Sequence, residues 1–330
     1  MSISGDRVAA YVFYDKRAQD YIVGSDRALR WSADAWAPGE TLEWHIEDGS
    51  HWAALPDLSA EDFALPIDEA LSDWSEIPTA DISWRVAGVV EPSGEPRFGD
   101  SRNVVFLDED YRYSAAVLWW IRSATTRTWE LTECDIAASH RDFERAAEWD
   151  WEADDLKRDL RWDLRRQLAD CLGLGPRQRS PATFSVRKSP AEDDTEWVGS
   201  PALGNYRDEH VGASLLRPRA DWSSEVGTLA GRVEADGLPL PFVSVWAVRS
   251  RGGSLIGAFS NAAGDFLIEG LEPDDYLLWA HPIRDKSDYA ALIQAGAAME
   301  VKDVVSVHPV RVEAGRATAG VRITMRRGRE

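Results

Sequence analysis

His140, Glu144 and Glu148 recur every four residues. On a helix they would share one face, and an imidazole with two carboxylates is a donor set for a divalent cation. Arg141, Asp142 and Arg145 surround them, and so mixed a run of charge reads as a solvated helix face. The remaining histidines, His45, His51, His210, His281 and His308, are scattered and form no pair at ligand spacing. Asp and Glu number 57 against 37 Lys and Arg, so an acid–base pair can be drawn almost anywhere and none is specified. The run GGSLIG at 252–257 lies between strand-like segments and lacks the strand–turn–helix setting of a nucleophile elbow. Neither a P-loop nor a dinucleotide-binding fingerprint occurs.

The elements that must position such groups follow from periodicity. Residues 41–46, 81–90, 103–107, 114–122 and 129–138 are apolar and β-favouring, and are read as strands. Residues 66–77 are read as a helix, with Pro66 near its start, Ile67, Leu71 and Trp74 on one face, and Pro78 at its end. From 151 to 172 the period becomes helical: Leu156, Leu160, Leu164, Leu168 and Leu172 form a stripe that must meet a core, and Gly173 stops the helix. Residues 176–200 read as a loop, and 207–216 as a short helix. Beyond about residue 226 the pattern is all β, with strand-like runs at 228–234, 242–248, 254–260, 265–269, 276–280, 309–313 and 320–325 between Gly, Asp and Pro turns. The Ala-rich stretch 287–300 is read as a helical insertion.

Composition limits the functions available. The 330 residues, 44% of them apolar, predict two packed domains. A net charge of −20 opposes nucleic-acid binding, because phosphate demands a basic face. The longest strongly apolar run, 115–121, is far short of the ~20 residues a membrane-spanning helix needs. The N-terminal residues lack the basic and apolar regions of a secretory signal, which predicts a cytoplasmic location. Two cysteines, Cys134 and Cys171, exclude a disulfide framework; a pair of buried thiols is the favoured reading and a single bridge the alternative. Of the 16 tryptophans most are expected in the core, while Trp119-Trp120 and Trp149-Asp150-Trp151 are candidates for a binding surface.

Four segments of the first half resemble the matrixin branch of the metzincin zinc proteases. They are IDEALSDWSEIPTADISWRV (67–86), WELTECDIAA (129–138), DLRRQLADCLGLGP (163–176) and DEHVGASLLRP (208–218). The resemblance implies an α+β domain, with a mixed twisted sheet and about three helices. Aligned on the glycine turn, the family's zinc motif H-E-x-x-H-x-x-G-x-x-H falls on Arg166, Gln167, Asp170, Gly173 and Pro176. Arg stays protonated, Pro has no side-chain donor, and Gln cannot act as a base, so neither zinc binding nor water activation is expected. Ala182-Thr183-Phe184 stands about where the family carries its methionine turn. Arg166 and Asp170, one helical turn apart, are expected to pair in place of the metal.

The second half resembles the carboxypeptidase regulatory-like, or transthyretin-like, β-sandwich. The segments are GTLAGRV (227–233), LPFVSVWAV (240–248), FSNAAGDF (259–266), GLEPDDYL (270–277) and PVRVEAGRATAGVRI (309–323). The expected organisation is an N-terminal segment 1–30, a degenerate matrixin-like domain 31–218, a linker 219–226 and the sandwich 227–330.

These readings predict a pseudopeptidase without cofactor, serving as a peptide- or protein-binding accessory module. Its groove is expected along the strand bearing Leu131, Glu133, Asp135 and Ala137, taken as the edge strand of the cleft. The competing readings are an endopeptidase using other ligands, such as Asp170 with His140, and a structural or assembly protein. The resemblance alone would suggest export, since the family is mostly secreted.

Overall fold

The computed structural model describes residues 12–15, 20–23, 30–48, 60–91, 99–108, 115–123, 129–139, 161, 164–165, 167–174, 207–250, 255–283, 296–298 and 300–328. By contacts the chain divides into two compact units, residues 29–173 and residues 174–330 with 1–28. The boundary read from sequence at 218 differs from this division at 173, and each unit is described by itself.

In the first unit, β3 (Arg30–Trp31), β4 (Leu42–Glu47), β5 (Trp84–Val90), β6 (Asn103–Asp108), β7 (Ala115–Arg122) and β8 (Trp129–Ser139) form a six-stranded sheet. The order runs β5-β4-β6-β8, with β3 beside β6's partner edge of β8. β7 pairs the other edge of β8 and is antiparallel to it, while the remaining ladders are parallel. Helix α1 (Ala64–Ser75) packs against β5 and buries Ile67, Leu71 and Trp74, the face its spacing predicts. Trp31, Trp36, Trp44, Trp74 and Trp84 are all buried. They meet in a chain of ring contacts with centroids 5.7–6.4 Å apart. Rings this large fill a core with few side chains, and offset or edge contacts between them are favourable.

The leucine stripe is helical at 161, 164–165 and 167–172. Leu164, Leu168 and Leu172 are buried, and burying each contributes about 1.5–3 kcal/mol. Leu156 and Leu160 lie outside the described residues. The helix is fastened to α1 by charge: Arg161 Nε donates to Asp73 Oδ2 at 2.9 Å, and Arg165 approaches the same carboxylate at 3.4 Å. Trp74 Nε1 donates to the carbonyl of Arg165 at 3.1 Å, and Trp31 Nε1 to that of Cys171 at 2.7 Å.

The second unit contains a β-sandwich. One sheet comprises β9 (Gly227–Ala235), β10 (Leu238–Pro239) and β13 (Asp265–Leu271), with β18 (Ala317–Thr324) parallel to β9. The other comprises β11 (Ser244–Arg249), β12 (Leu255–Phe259), β14 (Asp274–His281), β16 (Val304–Val305) and β17 (Val310–Val312). Period-two burial is clear in β14, where Tyr276, Leu278 and Ala280 point inward. Two short strands, β15 (Val301–Lys302) and β19 (Arg326–Arg327), pair beside these sheets. Helix α2 (Arg207–Leu216) packs on β12 and β13, and α3 (Trp222–Glu225) follows it. Both press on Gly270, where an added Cβ would lie 2.3 Å from Val211 and 3.0 Å from Trp222. Near the N-terminus, β1 (Val12–Asp15) and β2 (Asp20–Val23) pair as an antiparallel hairpin.

The expected α+β class is corrected by this strand content. Nineteen strands in five sheets dominate the described residues, and helices are few and short. β-branched and aromatic residues outweigh helix-period segments over most of the chain. The helical insertion expected at 287–300 is not formed where it is described: residues 296–298 and 300 are turn or irregular.

Candidate functional site

The positions that the sequence resemblance aligned with a zinc motif divide into two groups. Gln167 is buried on the leucine helix and Asp170 is half-buried. Gly173 takes φ +94° and donates its N–H to the carbonyl of Asp170 at 2.9 Å, closing the helix as its glycine predicts. Arg166 and Pro176 lie outside the described residues, as do Ala182-Thr183-Phe184, His140, Glu144, Glu148, Trp149 and Trp151. The Arg166–Asp170 pair therefore rests on sequence spacing. Among the described residues no group of three His, Cys, Asp or Glu side chains is placed to hold a metal ion.

The two cysteines are joined in a disulfide with a Cα separation of 5.6 Å. The favoured expectation of free thiols is corrected. The reason is tertiary: β8 and the leucine helix, 37 residues apart in sequence, lie side by side with both cysteines buried between them.

The expected groove strand also needs correction. β8 is an interior strand, paired with β7 on one side and with β3 and β6 on the other. Leu131, Glu133, Asp135 and Ala137 are all buried, with Glu133 and Asp135 each only 2% exposed. A peptide cannot add to a strand whose hydrogen-bonding edges are both occupied.

Its two acids work inside the fold. Glu133 Oε1 accepts the Gly99 N–H and its Oε2 the Ser101 N–H, each at 2.6 Å. Asp135 Oδ1 accepts the Val104 N–H at 2.8 Å. Asn103, buried between them, accepts the Cys134 N–H at 3.0 Å and donates to the Glu43 carbonyl at 3.2 Å. Together these bonds hold the segment that leads into β6. Gly99 and Ser101 take φ of +84° and +65°, which aims their N–H groups at one carboxylate. Burial raises the pKa of both acids, against the lowering effect of these backbone bonds. For Asp135 the value reaches about 8, with the charges of Glu133, Asp100 and Glu47 adding to the rise.

Among the described residues the sheet ends on β5, which pairs with β4 alone, and on β7. Among the described residues this strand pairs with β8 alone, so its outer row of backbone groups has no ladder partner. Two large apolar side chains stand on it, Trp119 at 48% exposure and Ile121 at 49%. The Trp119 indole lies against Gly99, where a Cβ would come within 3.3 Å of the ring. Glu133 thus anchors, through Gly99, the loop that borders the exposed tryptophan. Sequence reading singled out Trp119 as a surface aromatic but assigned the edge to the neighbouring strand. β7 and β8 are alike in β-favouring composition, and pairing order alone distinguishes them.

No helix among the described residues is long and apolar enough to cross a membrane. No family model matches the chain, and no curated protein matches it. Solved structures show partial likeness. GBS52, the minor pilin of Streptococcus agalactiae, has 17% identity over 33% of this chain and 47% of its own, with TM-score 0.23. The Bacillus anthracis TIE protein has 10% identity over 31% of this chain and 17% of its own, with TM-score 0.22. The 3-chlorocatechol 1,2-dioxygenase of Rhodococcus opacus 1CP has 13% identity over 33% of this chain and 62% of its own, with TM-score 0.20. The chain spans less than two thirds of the length of each, and likenesses at these scores carry no argument about fold or activity.

Proposed function

We propose that this chain is a non-catalytic relative of the matrixin peptidases that binds an extended peptide or protein segment along β7. The observation that carries the reading is the open edge of β7 beside half-exposed Trp119 and Ile121. An added strand gains main-chain hydrogen bonds from such an edge, and exposed side chains on it select what the peptide carries at alternate positions. Binding of this kind needs no metal. The replaced motif supports a role without hydrolysis: Gln167 has no lone pair able to take a proton from water, and Gly173 keeps only the turn.

The test is binding of peptides selected against the purified chain, followed by N-methylation of their backbone amides one at a time. In strand addition, methyl groups at alternate residues abolish binding and those between them do not, because only every second N–H faces the edge. Equal tolerance at all positions would dismiss strand addition. Casein cleavage that requires zinc and stops with a chelator would dismiss the non-catalytic reading.

A further inference from the structure

The C-terminal strands carry the opposite charge to the rest of the molecule. Residues 301–330 hold seven Lys and Arg against three Asp and Glu, in a chain of net charge −20. Strand alternation sorts them: Ile323 and Met325 are buried, whereas Arg322, Thr324 and Arg326 are exposed on the outward face. The Met325 N–H donates to the Glu234 carbonyl at 2.8 Å, so this alternation continues from β18 to β19. Across the pair β15–β19, Lys302 is the direct partner of Arg326. Across β9–β18, Arg232 is the direct partner of Arg322.

Like charges placed opposite one another on a sheet are destabilising. Arg232 is compensated by Asp265, 2.7 Å away. Among the described residues Arg322, Arg326 and Lys302 have no ion-pair partner, although Glu234 sits beside Thr324 and Asp303 beside Lys302. Arg322 and Arg326 are four residues apart, roughly 13 Å along the strand, and Lys302 lies across from Arg326. An extended chain presents same-face side chains every ~7 Å, so acids at every second residue match this spacing. The outward residues beside them on the strand, Thr324 and Gly320, offer no ring to stack on a base or a sugar, and the exposed apolar residues of the neighbouring segment, Val305 and Val307, are too few and too small to anchor in a lipid.

We propose that the outward face formed by Arg322, Arg326 and Lys302 binds an extended acidic peptide segment. The site lies in the second unit and is independent of the β7 edge.

The experiment is fluorescence anisotropy of the full chain with a labelled peptide of alternating glutamate and alanine. Binding at low salt that weakens as salt is added is expected, with roughly tenfold loss in the Lys302→Gln, Arg322→Gln, Arg326→Gln triple variant. Arg311→Gln, on the same terminal stretch, should leave it unchanged. An Arg322→Glu, Arg326→Glu variant should instead take the matching lysine–alanine peptide, which shows that the face is folded and still presents its charges. Failure to bind at low salt, or equal binding by the triple variant, overturns the proposal. So does tighter binding of anionic vesicles or a sulfated polysaccharide through the same residues. A triple variant that self-associates yet binds the peptide as before assigns these cations to keeping copies of the chain apart, and overturns it equally.

Discussion

Cys134 on β8 and Cys171 on the leucine helix are covalently joined, across a Cα separation of 5.6 Å. Cys171 stands two residues before Gly173, which closes the helix, and Cys134 stands between Glu133 and Asp135 on β8. The disulfide clamps the leucine helix to the sheet of which β7 is an edge strand.

Closing a loop of this length removes denatured-state entropy worth about 4 kcal/mol. The Cys134→Ala, Cys171→Ala variant should therefore unfold at markedly lower urea, by tryptophan fluorescence, with about that loss. An unchanged midpoint would show that the bond adds nothing to the native state.

The pKa of Asp135 gives stability a defined pH dependence. In the folded chain the carboxyl keeps its proton up to about pH 8. In the unfolded chain it releases it near the ordinary value of about 4. The folded state thus binds the extra proton in this window, so the contribution is complete below about pH 4 and is lost as pH rises through about 8. The loss is on the order of a few kcal/mol, since each pKa unit is about 1.4 kcal/mol. Asp135→Asn keeps an acceptor for the Val104 N–H and should flatten urea midpoints across this range. A wild-type midpoint that rises from pH 4 to 8 would contradict the assignment.

Trp119 and Ile121 are each about half exposed on an edge strand, so their loss should cost the fold less than the roughly 3–5 kcal/mol of a core truncation. Trp119→Ala and Ile121→Lys should reduce the affinity of a peptide that adds to β7 by tenfold or more while the chain still melts cooperatively and remains folded at the assay temperature. Melting lowered by the same substitutions, with affinity intact, would return both residues to a structural role.

Gly237 and Gly270 take nearly the same φ, +75° and +73°, in different surroundings. A Cβ at Gly237 meets nothing within 4 Å, whereas one at Gly270 collides with Val211. Gly237→Ala should cost about 1 kcal/mol for the backbone alone. Gly270→Ala should cost about 1–3 kcal/mol more, because α2 must shift off the sandwich. Equal denaturation midpoints for the two variants would mean that α2 does not seat on β13.

The residues themselves determined the local elements. Alternating Tyr276, Leu278 and Ala280 reads as a strand with one buried face, and Leu164, Leu168 and Leu172 as a buried helical stripe ended by Gly173. The side-chain chemistry of Gln167 and Asp170 is likewise visible in the sequence, since it needs no geometry. The overall class did not follow, because short strands spread over separate sheets outweigh one conspicuous leucine period. Only tertiary structure decided that β7, and not β8, is the open strand, that Cys134 meets Cys171, and that Lys302 faces Arg326. The last two join segments distant in sequence, and the first depends on β3 and β6 taking the far side of β8, in each case set by which faces must be buried together. A single chain read in order carries the tendency of each strand to form, but not the identity of its neighbour.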